Sequence, residues 1–131
     1  MIRFDAVSKQ FPDGTVAVDE LTFEAPTGQI TVLVGPSGCG KTTSLRMINR
    51  MIKPTGGRIW IDDQDPAQMD EAQLRRGIGY VIQHAGLFPH RTVAANIATV
   101  PRLIGWDKRK AESRAVELLE MVGRATSFAK P

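Results

Sequence analysis

The sequence predicts an α/β fold, and three observations carry the prediction. An apolar run rich in β-branched residues, Ile30-Thr31-Val32-Leu33-Val34, leads straight into the glycine-rich run Gly35-Pro36-Ser37-Gly38-Cys39-Gly40-Lys41-Thr42-Thr43. Behind it, Leu45, Ile48 and Ile52 recur at helical spacing, with Met47 and Met51 beside them. Strand-like segments flank this unit on both sides, whereas the last third of the chain has helical periodicity.

Taken in order, residues 2–8 and 16–24 read as strands divided by the turn signal Pro12-Asp13-Gly14. A second turn, Pro26-Thr27-Gly28, enters the segment 30–34, whose continuous apolar character predicts a buried parallel strand. Lys53-Pro54-Thr55-Gly56-Gly57 ends the central helix, and Arg58-Ile59-Trp60-Ile61-Asp62 alternates as a half-buried strand does. Asp62, Asp63 and Asp65 lack the glycine and closing glutamate of a calcium loop, so they are expected to form an acidic hairpin turn. Ile78-Gly79-Tyr80-Val81-Ile82 is predicted as another short apolar strand, ending at Gln83.

Thr92 is placed to cap a helix carrying Val93, Ile97 and Val100, broken or kinked near Pro101. Asp107 is placed to cap the next, with Ala111, Ala115, Leu118, Leu119 and Val122 on one face and Gly123 as its stop.

At 131 residues the chain is at most one ordinary domain, long enough for a real core. Its 42% hydrophobic and 24% charged residues are a soluble globular composition. No apolar stretch approaches the roughly 18 residues of a membrane span, and Met1 to Asp5 form no leader-like apolar block. A single cysteine excludes an internal disulfide or a multi-thiolate centre and suits a reducing compartment. The net charge of +3 is mild, and the basic run Lys108-Arg109-Lys110 with Arg114 interleaves with Glu112, Glu117 and Glu120. That pattern reads as a solvated helix face, so no nucleic-acid partner is expected. His84 and His90 are isolated and read as structural or interface residues.

The glycine-rich run fits the phosphate-binding pattern G-x-x-x-x-G-K-[ST] in its required strand–loop–helix setting. Gly35, Gly38 and Gly40 allow a backbone path that turns N–H groups toward phosphate oxygens. The following helix N-terminus adds unpaired N–H groups and a partial positive charge. Lys41 supplies a cation for the β- and γ-phosphates, and the Thr42 hydroxyl suits Mg²⁺. Cys39 reads as a small filler. The implied ligands are ATP and Mg²⁺.

Further residues make the pattern familiar: Phe4-Asp5-Ala6-Val7-Ser8-Lys9-Gln10-Phe11, the turn 53–57, and Tyr80-Val81-Ile82-Gln83 followed by Leu87-Phe88-Pro89-His90. With the P-loop, these make the chain resemble the nucleotide-binding subunits of ATP-binding cassette (ABC) transporters over essentially its whole length. Met47-Ile48-Asn49-Arg50-Met51-Ile52 and Ile97-Ala98-Thr99-Val100-Pro101 are most similar to importers of glycine betaine, choline and carnitine.

The resemblance implies that residues 1–131 are the N-terminal part of one ABC ATPase domain. Residues 1–91 would be the β-sheet and P-loop core portion, and 92–131 the start of a helical subdomain. It assigns Phe11 to adenine stacking, although the residue alone reads equally as a hairpin aromatic. It assigns Gln83, otherwise an unremarkable solvent-facing residue, to Mg²⁺ and the attacking water. It makes the region from Gln83 to Arg91 the contact for a transmembrane permease subunit. It also implies a second ATPase subunit, an indirect solute-binding protein, and a cytoplasmic, peripheral place on the inner membrane face.

The departure lies at the end, since nothing in the sequence matches the family's signature loop, its Asp-Glu strand or its switch histidine. Ile59-Trp60-Ile61-Asp62-Asp63 only imitates the Asp-Glu strand. The 131 residues are therefore expected to bind nucleotide weakly and to hydrolyse little. The segment 30–34 is expected to carry an unpaired edge and an uncovered face, with self-association or swapping as a consequence. A non-hydrolysing regulatory or decoy module is the alternative. A soluble ABC ATPase of DNA repair or translation is disfavoured by Leu87-Phe88-Pro89-His90.

Overall fold

The computed structural model describes residues 1–84 and 86–123. Strands β1 (Ile2–Gln10), β2 (Val16–Ala25) and β3 (Gly56–Ile61) form one antiparallel sheet in the order β2-β1-β3. Between β2 and β3 lies α1 (Lys41–Ile48). A 3₁₀ turn (Pro66–Gln68), α2 (Glu71–Arg76), α3 (Val93–Ile97), α4 (Thr99–Leu103) and α5 (Lys108–Met121) follow. The chain divides into two compact units, Met1–Ile78 and Gly79–Pro131.

In the first unit, α1 lays Met47 against Phe4, Val7, Val18 and Ile59 of the sheet. Phe4 pairs with Phe23 on one side and Ile59 on the other, and its ring lies 4.7 Å from that of Phe23. The β1–β2 ladder is interrupted between Phe4 and Val7. Side-chain hydroxyls supply the missing bonds there: Thr22 Oγ1 accepts from the Ala6 N–H at 2.9 Å and Ser8 Oγ from the Glu20 N–H at 2.8 Å. Asp62 and Asp63 form the expected tight turn, closed by reciprocal backbone bonds between Ile61 and Gln64. Asp62 also pairs with the Met1 ammonium at 2.5 Å, and Asp65 caps the 3₁₀ turn.

Two strand expectations require correction. Neither 30–34 nor 78–82 joins a ladder among the described residues. A parallel strand exists only through its ladder partners, and neither segment has one among the described residues. The first retains its alternation: Thr31 and Leu33 line a groove of about 270 Å³ with Phe4, Phe23, Leu45 and Ile48. Ile30, Val32 and Val34 face outward at 95%, 72% and 89% exposure, the uncovered apolar face the sequence led one to expect. The second shows no burial pattern, and Val81 is fully exposed.

The second unit rests on small residues, with Ala94 and Ala98 buried at one end and Ala111, Ala115 and Leu119 along α5. Thr92 and Asp107 cap α3 and α5 as expected, accepting from the N–H groups of Ala95 and Lys110. The break predicted near Pro101 falls at Ala98, because Pro101 has no N–H to offer the carbonyl of Ile97. Val122 is the C-cap of α5 and exposed, so it lies off the buried face, and Gly123 follows at φ +74°.

Candidate nucleotide-binding site

The loop that opens α1 is built almost entirely from backbone. Gly38 and Gly40 have φ of +81° and +92°, conformations that a side chain rarely adopts. The Cys39 N–H closes a turn onto the Pro36 carbonyl at 3.3 Å. The Ser44 N–H and hydroxyl both return to the Gly40 carbonyl, at 2.9 and 2.8 Å, fixing the first turn of the helix. Gly40 is the N-cap and supplies no side-chain oxygen, so the leading N–H groups of α1 have no side-chain cap.

Lys41 folds back into the loop. Its ammonium donates to the carbonyl of Gly35, to that of Pro36 at 2.8 Å and toward Cys39 Sγ at 3.5 Å. No carboxylate occurs between Gly35 and Thr43, and none lies in the first turn of α1. A lysine, glycine-shaped backbone and a helix N-terminus form a donor set suited to an anion. The exposed Thr42 follows directly, on the outer side of the first turn. Cys39 is exposed, with its sulfur against the Gly35 backbone.

Phe11 belongs to the same unit and the same end of it. Val16 pairs with Gln10 and Val18 with Lys9, so Phe11 stands where the β1–β2 hairpin turns. Gly40 abuts Ala17 and Val18 of that hairpin end. Phe11 is half-buried, its N–H bonded to the Thr15 carbonyl at 2.8 Å and the Lys9 ammonium 5.3 Å from its ring centroid.

Gln83 lies in the second unit and is exposed, as are His84, Leu87, Phe88, Pro89, His90 and Arg91. The loop is shaped by Asn96, a residue that carried no motif in the sequence. Asn96 Oδ1 accepts from the Phe88 N–H at 2.8 Å, and its Nδ2 donates to the carbonyls of Phe88, Arg91 and Thr92 at 3.2, 3.4 and 3.0 Å. An Asn inside a short helix is the one signal that could have pointed to it. The Arg91 guanidinium stacks 4.5 Å from the Phe88 ring. The sequence reading also passed over α2, whose N-cap Asp70 accepts from the Gln73 N–H at 2.9 Å.

These features define a P-loop nucleotide-binding unit on an α/β fold. The family model for ABC transporters matches residues 18–130, and the chain belongs to that family. It is 46% identical over 128 residues to the carnitine transport ATP-binding protein OpuCA of Listeria monocytogenes, covering 98% of this chain and 32% of that protein. It is 49% identical over 126 residues to the osmoprotectant import ATP-binding protein OsmV of Salmonella typhimurium, covering 93% and 33%. The chain thus spans about a third of the length of these curated relatives. Among solved structures, the ATP-binding cassette MJ0796 bound to ADP and Pi superposes with a TM-score of 0.83 at 26% identity, covering 99% of this chain and 62% of that one. CbiO1 of Clostridium perfringens shares the fold at a TM-score of 0.88 and 24% identity, covering 99% and 53%.

Proposed function

We propose that this chain is the nucleotide-binding N-terminal portion of an ABC importer ATPase that drives uptake of glycine betaine, choline or carnitine-type osmoprotectants. The observation that carries the proposal is the loop from Gly35 to Thr43, with Gly40 seated on β2 and Lys41 turned into the loop. Its donors suit the phosphates of ATP, and the exposed Thr42 hydroxyl suits the accompanying Mg²⁺. Phe11, at the hairpin end beside Gly40, is the stacking surface for adenine in this reading. The solute class is supported by relatives named for carnitine and osmoprotectant transport.

Gln83 is proposed to reach Mg²⁺ and the attacking water, and the loop up to Arg91 to receive the permease subunit. The apolar exposed pair Leu87 and Phe88 supports the second role. A second ATPase subunit completes the hydrolytic site, the solute-binding protein acts through the permease, and the subunit sits peripherally on the inner membrane face. No helix among the described residues is long and apolar enough to cross a membrane. In this reading the 131 residues by themselves bind nucleotide weakly and turn over little or none of it.

The test is equilibrium binding of a fluorescent ATP analogue with Mg²⁺, followed by osmoprotectant uptake in cells carrying the complete transporter. Saturable binding and uptake, both lost in Lys41→Ala, are expected. Binding indifferent to Lys41 refutes the nucleotide reading, and uptake of an unrelated solute refutes the substrate class.

A further inference from the structure

The far end of α1 is tied down as firmly as its phosphate-facing end. Arg75, in α2, reaches back to the two carbonyls that follow the last helical residue. Its Nε donates to the Asn49 carbonyl and an Nη2 hydrogen to the Arg50 carbonyl, both at 3.1 Å. Glu71 holds the guanidinium in place at 3.3 Å, and its other oxygen lies 3.5 Å from Arg50 Nη2. Arg50 in turn donates from Nη1 to the Met69 carbonyl at 3.2 Å. Asn49 is buried, and its side-chain oxygen accepts the Met51 N–H at 3.2 Å.

A cation at a helix C-terminus is favourable because the last carbonyls carry partial negative charge. The fork here also fixes direction, since one rigid planar group grips two successive carbonyls through two nitrogens at a set spacing, a geometry that the freely rotating hydrogens of an ammonium do not impose. Direction matters because α1 has eight residues, a length of roughly 12 Å. A tilt of about 5° at one end displaces the other by about 1 Å, and a misplacement of about 1 Å can cost up to ~10²-fold in function. Gly40 seats the N-terminal end on β2. The C-terminal end is seated by Arg75.

We propose that Arg75 is a positioning residue for the phosphate site, acting through α1 and oriented by Glu71. The proposal rests on the nucleotide-binding reading above. It places Arg75 outside the motif and at the opposite end of the helix from the ligand.

The experiment measures binding of a fluorescent ATP analogue with Mg²⁺ to the complete subunit, alongside thermal melting without nucleotide. Arg75→Ala is expected to weaken binding about tenfold in protein that is still folded. Arg75→Lys, which keeps the charge and loses the fork, is expected to recover part of the loss. Glu71→Gln, which frees a still-charged Arg75, is expected to weaken binding about threefold, within the same misplacement range.

Wild-type affinity in folded Arg75→Ala, whatever its melting temperature, overturns the proposal and leaves a structural role only. If Arg75→Ala does not fold, unchanged affinity in both other variants overturns it equally. Lys41→Ala separates the two readings. Binding that survives Lys41→Ala removes the phosphate site and the proposal with it, whereas binding lost there but unaffected by the Arg75 variants removes the proposal alone.

Discussion

Gly40 rests on the carbonyl of Ala17: a Cβ on Gly40 would stand 2.3 Å from that oxygen and 3.1 Å from Val18 Cγ2. The last glycine of the loop is therefore required twice, by its φ of +92° and by contact with β2. This contact joins the glycine-rich loop to the hairpin that carries Phe11, so the loop and the proposed adenine surface are set by one piece of backbone.

Gly40→Ala should abolish nucleotide binding while leaving the sheet intact. Backbone cannot yield as a flexible side chain can, so the loop must lift from β2, at a cost of about 2–4 kcal/mol in local stability. Circular dichroism close to wild type with no saturable binding of an ATP analogue is the expected pair of results. Retained affinity would show that the loop can bind without its seat.

A second glycine makes a similar contact in the sheet. A Cβ on Gly57 would lie 2.2 Å from the Ala6 carbonyl oxygen, and Gly57 has φ of +75°. Gly57→Ala should destabilise the fold by about 2–4 kcal/mol, read as a lower denaturant midpoint. Ala6 itself lies at φ +46°, so Ala6→Gly should be neutral to about 1 kcal/mol stabilising. A clear loss of stability in Ala6→Gly would contradict this account of the bulge.

What the sequence revealed follows how local each feature is. The hairpin turn at Pro12-Asp13-Gly14, the caps Thr92 and Asp107 and the glycines of the phosphate loop are each decided within a few residues, and each was legible. The segments 30–34 and 78–82 were not, because identical residues form a strand or an unpaired run depending on distant neighbours. The helix break expected near Pro101 was legible too, and it lies at Ala98 because proline removes a bond to a residue four positions earlier. Arg75 and Asn96 stayed hidden for a different reason. Each acts on backbone carbonyls, which any sequence supplies, so neither leaves a motif.

The β1–β2 turn gives a pH prediction. The Thr15 N–H donates to Asp13 Oδ1 at 2.9 Å, and this backbone bond, followed by one from the Thr15 side chain, lowers the Asp13 pKa below its ordinary 3.8. A carboxyl with a depressed folded pKa stabilises the fold above its unfolded value and loses that contribution as pH falls through the folded value. The turn should therefore be fully supported at neutral pH and weaken only below about pH 3.8. Carboxyl NMR titration should place the Asp13 midpoint below that of an unstructured aspartate, and Thr15→Val should move it only part of the way back, because the backbone bond remains. An Asp13 midpoint at or above the ordinary value would exclude the turn geometry described.

Asn96 offers the sharpest test in the second unit. Its amide copies a peptide group, taking the Phe88 N–H and giving hydrogens to the Phe88, Arg91 and Thr92 carbonyls. Asn96→Ala should cost about 1–2 kcal/mol, since the bonded groups are only partly shielded and water replaces some of the loss. Hydrogen exchange at the Phe88 amide should accelerate. Asn96→Asp should be worse at neutral pH, because a carboxylate would face three carbonyl oxygens and can still serve only the Phe88 N–H. That penalty should shrink on acidification, when the protonated acid regains one donor. If the loop has the docking role proposed above, nucleotide affinity should be unchanged in both variants while solute uptake by the assembled transporter falls, because the loop bearing Leu87 and Phe88 loses its shape. Normal uptake with a mobile Phe88 amide would mean that the partner moulds this loop on binding, and the docking role would then rest on its side chains alone.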